Sequence, residues 1–325
     1  MHMKRILVTG AAGFIGYHLC LRLLESGNSV IGYDNFISGQ RRHIDRLQGF
    51  ENFEFREWDI TRPFKVAAEE IYNLACPASP LDYQKYPLET LSTNFLGALN
   101  VLEVARENGA KILQTSTSEV YGDPLVHPQP ETYFGNVNPM GVRSCYDEGK
   151  RVAETLFFEH HRQYGTPVRI VRIFNTYGPN MRQKDGRVIS NFINQALRGE
   201  DITIYGDGLQ TRSFCYISDL LEGLIDIMDQ SGDFPGPVNI GNPEEVTVKQ
   251  LAALVCELAG SKSRLSFLPG AEDDPRLRKP DITLIKEILQ WQPKVGIREG
   301  LQKTIDYYAG IRDEEDRDIA AADAV

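Results

Sequence analysis

Tyr146 and Lys150 stand four residues apart in a stretch with helical spacing, which puts both side chains on one face. An ammonium next to a phenol stabilises the phenolate. A phenolate beside a sugar hydroxyl can take its proton while hydride leaves the same carbon. On an arbitrary helix such a pair is more often a plain surface pair, so its context has to support it. One part of that context is the polar run Thr115-Ser-Thr-Ser-Glu119-Val-Tyr-Gly122, which follows a strand-like segment at 111–114. Polar residues at the carboxyl end of a parallel strand face the ligand crevice. There Thr117 can hydrogen-bond a hydroxyl or carbonyl, and Glu119 can shuttle a proton or order a water. Taken alone, the run also reads as a turn whose hydroxyls cap nearby backbone.

The other part is Gly10-Ala-Ala-Gly13-Phe-Ile-Gly16, placed between the apolar segment 6–8 and the helical pattern 14–25. Glycines there let the backbone turn tightly and approach a pyrophosphate, which the helix N-terminus then attracts. Asp34 ends the next strand, where a carboxylate can accept hydrogen bonds from ribose hydroxyls. A carboxylate would repel a 2′-phosphate, which favours NAD over NADP, although Arg41 and Arg42 lie close by. Asp59 follows the third strand and either meets the adenine or caps a helix before Thr61. The expected cofactor contacts are Gly10, Gly13, Phe14, Ile15, Gly16, Asp34, Asn35, Asp59, Ile60, Leu74 and Ala75, with Tyr146 and Lys150.

These groups need a scaffold that brings strand ends together. Strands read at 6–8, 29–33, 53–55, 71–74, 111–114 and 168–173 alternate with helices at 14–25, 88–107 and 145–164, which is the pattern of βαβ units in a parallel sheet. After about residue 175 Pro, Gly and Arg become frequent. Short strands at 202–205 and 213–216 and helices near 246–258 and 282–289 suggest a smaller lobe. The expected organisation is a Rossmann-type domain over 3–175, to which some later segments return, a substrate lobe over 176–310, and a charged, core-poor tail over 311–325 that is expected to be mobile. The 325 residues carry 45 acids and 35 bases, a net charge of −10, which makes nucleic acid a poor partner. Five scattered cysteines without a CxxC pair or metal-ligand spacing suit reduced thiols and no metal site. Apolar runs are short and broken by charges, and the chain enters its first strand at once. A cytoplasmic protein without signal peptide or membrane span is expected.

These residues resemble the extended short-chain dehydrogenase/reductase family that acts on nucleotide sugars, over roughly residues 3–309. Within it, the strings at 73–80 (Asn-Leu-Ala-Cys-Pro-Ala-Ser-Pro), 116–124, 141–151 (Gly-Val-Arg-Ser-Cys-Tyr-Asp-Glu-Gly-Lys-Arg), 173–179, 185–192 and 278–281 look like those of UDP-glucuronate decarboxylases. The resemblance implies oxidation of C4 by NAD with Tyr146 as base, Lys150 holding the nicotinamide ribose and Thr117 assisting. Loss of CO2 from the β-keto acid and return of hydride would then give UDP-xylose. It further implies that Glu119 manages a proton or water near C5 and that Arg278 binds or orients the carboxylate region. Asn175, Arg187 and Arg212 would contact sugar and diphosphate. Tyr205 would lie against the uracil or else be a core aromatic, and Arg276 would stand beside Arg278. The long helices at 88–107 and 145–164 resemble those that pair as a four-helix bundle in a homodimer.

Rival readings remain open at this level. A 4,6-dehydratase would carry an Asp-Glu pair after the threonine, and here Ser118 takes the first position. A 4-epimerase would need neither Glu119 nor Arg278. A decarboxylase that stops at the 4-keto pentose and releases NADH shares several of the strings. A catalytically silent NAD-binding regulator is the reading from another class, and it would not need the tyrosine, lysine and threonine.

Overall fold

The computed structural model describes residues 3–270 and 277–322. The chain opens with β1 (Arg5–Thr9), α1 (Phe14–Glu25), β2 (Ser29–Asp34), α2 (Arg41–Leu47), β3 (Phe53–Glu57) and β4 (Glu70–Asn73). Three helices follow, α3 (Pro80–Lys85), α4 (Pro87–Ser92) and α5 (Ala98–Asn108), then β5 (Lys111–Thr117), α6 (Ser144–Tyr164) and β6 (Val168–Ile173). Beyond these come β7 (Thr176–Tyr177), α7 (Val188–Arg198), β8 (Ile202–Tyr205), β9 (Thr211–Ser213), β10 (Cys215–Tyr216), α8 (Ile217–Asp229) and β11 (Val238–Ile240). The last elements are β12 (Glu245–Thr247), α9 (Val248–Leu258), β13 (Leu265–Leu268), α10 (Thr283–Leu289) and α11 (Ile297–Ala322).

The main sheet has the order β3-β2-β1-β4-β5-β6-β11, with every neighbouring pair parallel. Strand order therefore reverses between β1 and β4, and the crevice of a doubly wound sheet opens at that point. The sheet is covered on both faces. Ile6, Val8, Val30 and Leu113 pack into one core with α1 and α8, whereas Leu7, Ile31, Ile71 and Ile112 pack into another with α5 and α6. Burial on both sides is why these strands read as continuous apolar runs. At their carboxyl ends the apolar run gives way to a buried polar ladder. Thr9 Oγ1 donates to Asn73 Oδ1 (2.7 Å), and Asn73 Nδ2 donates to Gln114 Oε1 (2.7 Å).

The sheet and α1, β2 and α6 fall where the sequence pattern puts them. Four details differ. The helical pattern at 88–107 is interrupted by a π-turn at Thr93–Gly97, where Asn94 is buried and donates to the Thr90 carbonyl (2.9 Å) and to Cys76 Sγ (3.1 Å). The expected strand at 213–216 is split into β9 and β10, which pair with β12 and β7 respectively. Asp59 caps no helix: its carboxylate accepts from the Thr61 amide (2.9 Å) in a local turn. Residue 311 is not a structural boundary, because α11 runs through it to Ala322. The late return to the main domain is made by α8 and β11, and β11 closes the sheet beside β6.

The smaller lobe is built on three two-stranded pairings, β10 with β7, β12 with β9 and β13 with β8. Its tightest joint is Gly300 in the first turns of α11, where an added Cβ would stand 2.1 Å from Tyr177 Oη and 2.8 Å from Tyr216. Overpacking of this kind costs about 1–3 kcal/mol. Gly300→Ala is therefore expected to lower Tm by several degrees in scanning calorimetry; an unchanged Tm would show that Tyr177 can move aside freely.

Candidate active site

The turn after β1 is shaped by its glycines. Gly10 has φ +73°, and a Cβ there would stand 2.9 Å from the Ala75 amide nitrogen. A Cβ on Gly16 would stand 2.0 Å from the Gly10 carbonyl oxygen, so α1 begins pressed against the turn. No side chain caps α1, whose N-cap is Gly13, and its first-turn amides therefore lack an intrahelical acceptor. Asp34 braces the same turn, accepting from the Ala12 amide through Oδ2 (3.0 Å) and from the Phe36 amide through Oδ1 (2.8 Å). Each oxygen keeps a lone pair for a ribose hydroxyl. Burial pushes the Asp34 carboxyl up, against the pull of those amides. Arg41 turns away, onto Glu57 (3.3 Å) and over the Phe36 ring (4.2 Å). The donor set thus fits NAD: a helix start for the pyrophosphate, a carboxylate for the ribose, and Asn35, Asp59, Ile60, Leu74 and Ala75 lining the adenosine side with Asp34.

The cavity continues from Gly10, Gly13, Phe14, Ile15 and Gly16 to Thr117, Glu119, Tyr146, Lys150, Asn175 and Arg187. Beyond Asn175 and Arg187 it opens into a second chamber that also holds Glu119, Tyr205, Arg212 and Arg278. Every described residue expected in the site from sequence lines this continuous cleft. Arg276 lies outside the described residues. Tyr205 is exposed at the rim, which removes its reading as a core aromatic.

Tyr146 and Lys150 project from α6 as the i, i+4 spacing requires. Tyr146 is hydrogen-bonded to the Thr117 side chain, and Lys150 Nζ donates to the Thr115 carbonyl (2.8 Å). The sequence suggested a phenol made more acidic by its lysine. In the structure burial dominates and pushes the Tyr146 phenol well up, with Thr117 and Arg187 acting in the opposite direction. The ammonium is drawn back onto the carbonyl, 5.9 Å from the ring centroid, and burial pulls it down in turn. Thr117 also caps the short turn Ser118–Tyr121, accepting from the Glu119 amide (3.2 Å).

Glu119 lies in the grip of two arginines. Arg278 spans it, Nη1 to Oε1 at 2.7 Å and Nη2 to Oε2 at 2.9 Å, and Arg143 Nη2 donates to Oε2 at 2.7 Å. Burial alone would raise the Glu119 carboxyl, but the charges of Arg278 and Arg143 and the hydrogen bond from Arg143 outweigh it and hold the group down at about 2. One expectation narrows as a result. Glu119 stays ionised at any ordinary pH, so it can accept or orient a proton carrier but cannot itself be the acid. Arg278 gives one N–H from each terminal nitrogen to Glu119 and still lines the chamber. Arg143 was missed in the sequence, although it lies three residues before Tyr146 within the 141–151 string. Its partner is 24 residues away, and no local spacing announces that contact.

Arg278 is held from behind. The Gln129 amide donates to the Lys279 carbonyl (2.9 Å), the Asp281 amide donates to the Gln129 carbonyl (3.0 Å), and Ser213 Oγ donates to the Arg278 carbonyl (3.3 Å). Asn175 meets Arg278 Nη1 only at 3.5 Å. Arg187 donates to the Ala78 carbonyl (2.9 Å) and Arg212 to the Thr211 carbonyl (2.8 Å), so both guanidiniums are oriented at the chamber wall.

The sequence profile of the NAD dependent epimerase/dehydratase family matches residues 6–241. UDP-glucuronic acid decarboxylase 5 of Arabidopsis thaliana is 56% identical over 298 residues, which is 91% of this chain and 87% of the relative. UDP-glucuronic acid decarboxylase 1 of Danio rerio is 51% identical over 306 residues, 94% of this chain and 73% of the relative. Among solved structures, UDP-glucose 4-epimerase of Thermotoga maritima with UDP-glucose superposes with a TM-score of 0.85 at 32% identity, covering 94% of this chain and 99% of that one. UDP-glucuronic acid 4-epimerase of Bacillus cereus with UDP-glucuronic acid and NAD gives 0.85 at 29% identity, with the same coverage of 94% and 99%.

Because its folded value is depressed, Glu119 contributes stability that is present above the unfolded carboxylate range, near pH 4.5, and is lost as pH falls towards 2. Glu119→Gln leaves two buried guanidiniums facing a neutral amide. It is expected to lose on the order of 3 kcal/mol at pH 7 in denaturant titrations, and progressively less as pH falls below 4. An equal loss at every pH would show that the clamp is not electrostatic.

Proposed function

The chain belongs to the NAD-dependent epimerase/dehydratase family, and on that premise we infer that it is an NAD-dependent UDP-glucuronate decarboxylase whose product is UDP-xylose. The observation that carries the reading is the pairing of Tyr146 and Thr117 with a carboxylate, Glu119, that two arginines hold ionised beside the same cleft. Identity above 50% with decarboxylases over nine-tenths of the chain points the same way.

NAD held by the glycine turn and Asp34 would supply the acceptor, and later the donor, of the hydride at C4 of the sugar. Tyr146 accepts the C4 hydroxyl proton while Thr117 holds the hydroxyl, and the same phenol returns the proton at the end. Lys150, fixed on the Thr115 carbonyl, holds positive charge behind the phenol. With a ketone at C4 the substrate is a β-keto acid. Breaking the bond from C5 to the carboxylate leaves its electron pair in an enolate, and C5 then gains a proton. Glu119, ionised, orients the carrier of that proton, and Arg278 and Arg143 keep it in place. Arg187 and Arg212 face the diphosphate, where guanidinium forks suit phosphate oxygens, and Tyr205 offers its ring to the uracil.

Dehydration is disfavoured by the same geometry. It needs an acid for the leaving hydroxyl, and at that place the chain has Ser118 followed by a glutamate that cannot hold a proton. The homodimer belongs to the proposal as well. Leu88, Leu91, Phe95 and Leu99 form an exposed apolar row along α4, the π-turn and α5, which is the surface a second copy would cover. Among the described residues no helix is long and apolar enough to cross a membrane. The five free cysteines support a reducing compartment, the cytoplasm.

Proton NMR with UDP-glucuronate and a trace of NAD tests the reading. UDP-xylose should grow in without lasting absorbance from NADH. A 4-keto pentose accumulating with equivalent NADH would instead make the chain an oxidative decarboxylase. Tyr146→Phe is expected to lower turnover about 10²–10⁴-fold with NAD still bound; unchanged turnover would remove Tyr146 as the base.

A further inference from the structure

Decarboxylation of a carboxylate consumes one proton per turnover: the C5–carboxylate bond breaks, CO2 leaves neutral, and a new C5–H bond forms. Tyr146 gives back only the proton it took, and Glu119 is held ionised. The extra proton must come through another group, and the wall around Glu119 contains one.

Three polar atoms there are buried without a hydrogen-bond partner: Tyr83 Oη, Arg143 Nε and Asp147 Oδ1. They belong to one cluster. The Tyr83 ring stacks on Tyr146 (5.1 Å between centroids, 9° between planes), and the Arg143 guanidinium lies over the same Tyr83 ring (5.9 Å). Asp147 follows Tyr146 in α6, and its amide donates to the Arg143 carbonyl (3.1 Å). Tyr83 and Arg143 line the substrate chamber together with Glu119 and Arg278. One unpaired buried polar atom costs roughly 1–3 kcal/mol, so three in a single cluster call for a ligand that the side chains do not supply. An arginine donor, a carboxyl oxygen and a hydroxyl that can do either make a complementary set for one water, which typically takes two to four such partners.

We propose that Tyr83, Arg143 and Asp147 hold a buried water behind Glu119, and that Asp147 in its protonated form acts through this water as the positioning residue that supplies the proton gained at C5. The water gives a proton to C5 and takes one from the Asp147 carboxyl, and solvent reprotonates Asp147 before the next turnover. The groups facing Asp147 are Glu119 from the turn after β5, Arg143 before α6, Arg278 from the segment pinned on Gln129, Tyr83 from α3, and Glu148 on its own helix. Burial first, then the charge of Glu119, raises the Asp147 carboxyl to about 7 against the pull of Arg143 and Arg278. Two neighbouring carboxyls are thus driven apart, one always ionised and one protonated near neutral pH, as an acid and its orienting partner require.

The inference rests on the decarboxylase reading, and pH profiles of kcat separate the two. Wild type is expected to lose kcat on the alkaline side with a midpoint near pH 7. Asp147→Asn should lower kcat about tenfold near pH 6.5, leave KM within about twofold and abolish that alkaline limb. Glu148→Gln should keep both kcat and the limb. Since a raised carboxyl costs stability as it ionises, Asp147→Asn should be at least as stable as wild type above pH 7. If it fails to fold, Tyr83→Phe decides, because it keeps the ring stack and removes one arm of the water site. A lowered kcat with the limb retained supports the proposal. Wild-type kcat and an intact limb in Asp147→Asn, or wild-type kcat in Tyr83→Phe, overturn it. A wild-type enzyme that leaves UDP-glucuronate unchanged overturns the decarboxylase reading, and this inference with it.

Discussion

The site depends on one buried carboxylate. Glu119 ties together three stretches of chain that are far apart in sequence: the turn after β5, the residue before α6 and the segment around Arg278, which is 159 positions away. The contact couples the small lobe to the sheet domain. It also fixes the charge state of Glu119 itself. A single buried carboxylate facing two guanidiniums stays ionised, because its desolvation is offset by short, charge-assisted hydrogen bonds.

The rest of the site is organised by contrast with that fixed charge. On the cofactor side the order comes from backbone: glycines pressed against one another, an uncapped helix start, and a carboxylate that braces the turn it serves. On the chemical side it comes from buried polar side chains that neutralise or repel one another. The ladder Thr9–Asn73–Gln114 sets the ends of β1, β4 and β5 at one height, so the polar end of β5 and the turn after it emerge beside β4, one strand from where the sheet order reverses. Around it, Glu119 is held ionised, Asp147 is pushed towards its neutral form, and burial raises the Tyr146 phenol while Thr117 and Arg187 act in the opposite direction. All three begin as unremarkable side chains, and their surroundings give them different work.

Much of this was legible in the sequence. The helix pattern at 14–25 and the strand after it were sharp because both obey one period without interruption, and the glycine turn between strand and helix has a backbone reason for every glycine. Tyr146 and Lys150 were readable because four residues on a helix always share a face. The π-turn inside 88–107 was not, since the apolar pattern runs through it and only the packing of Asn94 beside Cys76 reveals it. The break within the expected strand 213–216 was hidden because β9 and β10 pair with partners from different parts of the chain.

The sequence by itself determined the main alternation of strands and helices in the first half of the chain, the glycine turn after β1, the acid at the end of β2, and the placing of Tyr146 and Lys150 on one helix face. All of these rest on neighbours within one turn or one strand, where spacing alone sets geometry. Tertiary structure alone decided the state of those groups. It set Arg278 and Arg143 together on Glu119, held Glu119 ionised and pushed Asp147 towards its neutral form. Each outcome comes from burial and from charges supplied by residues remote in the chain, and neither quantity has a period that can be read along a sequence.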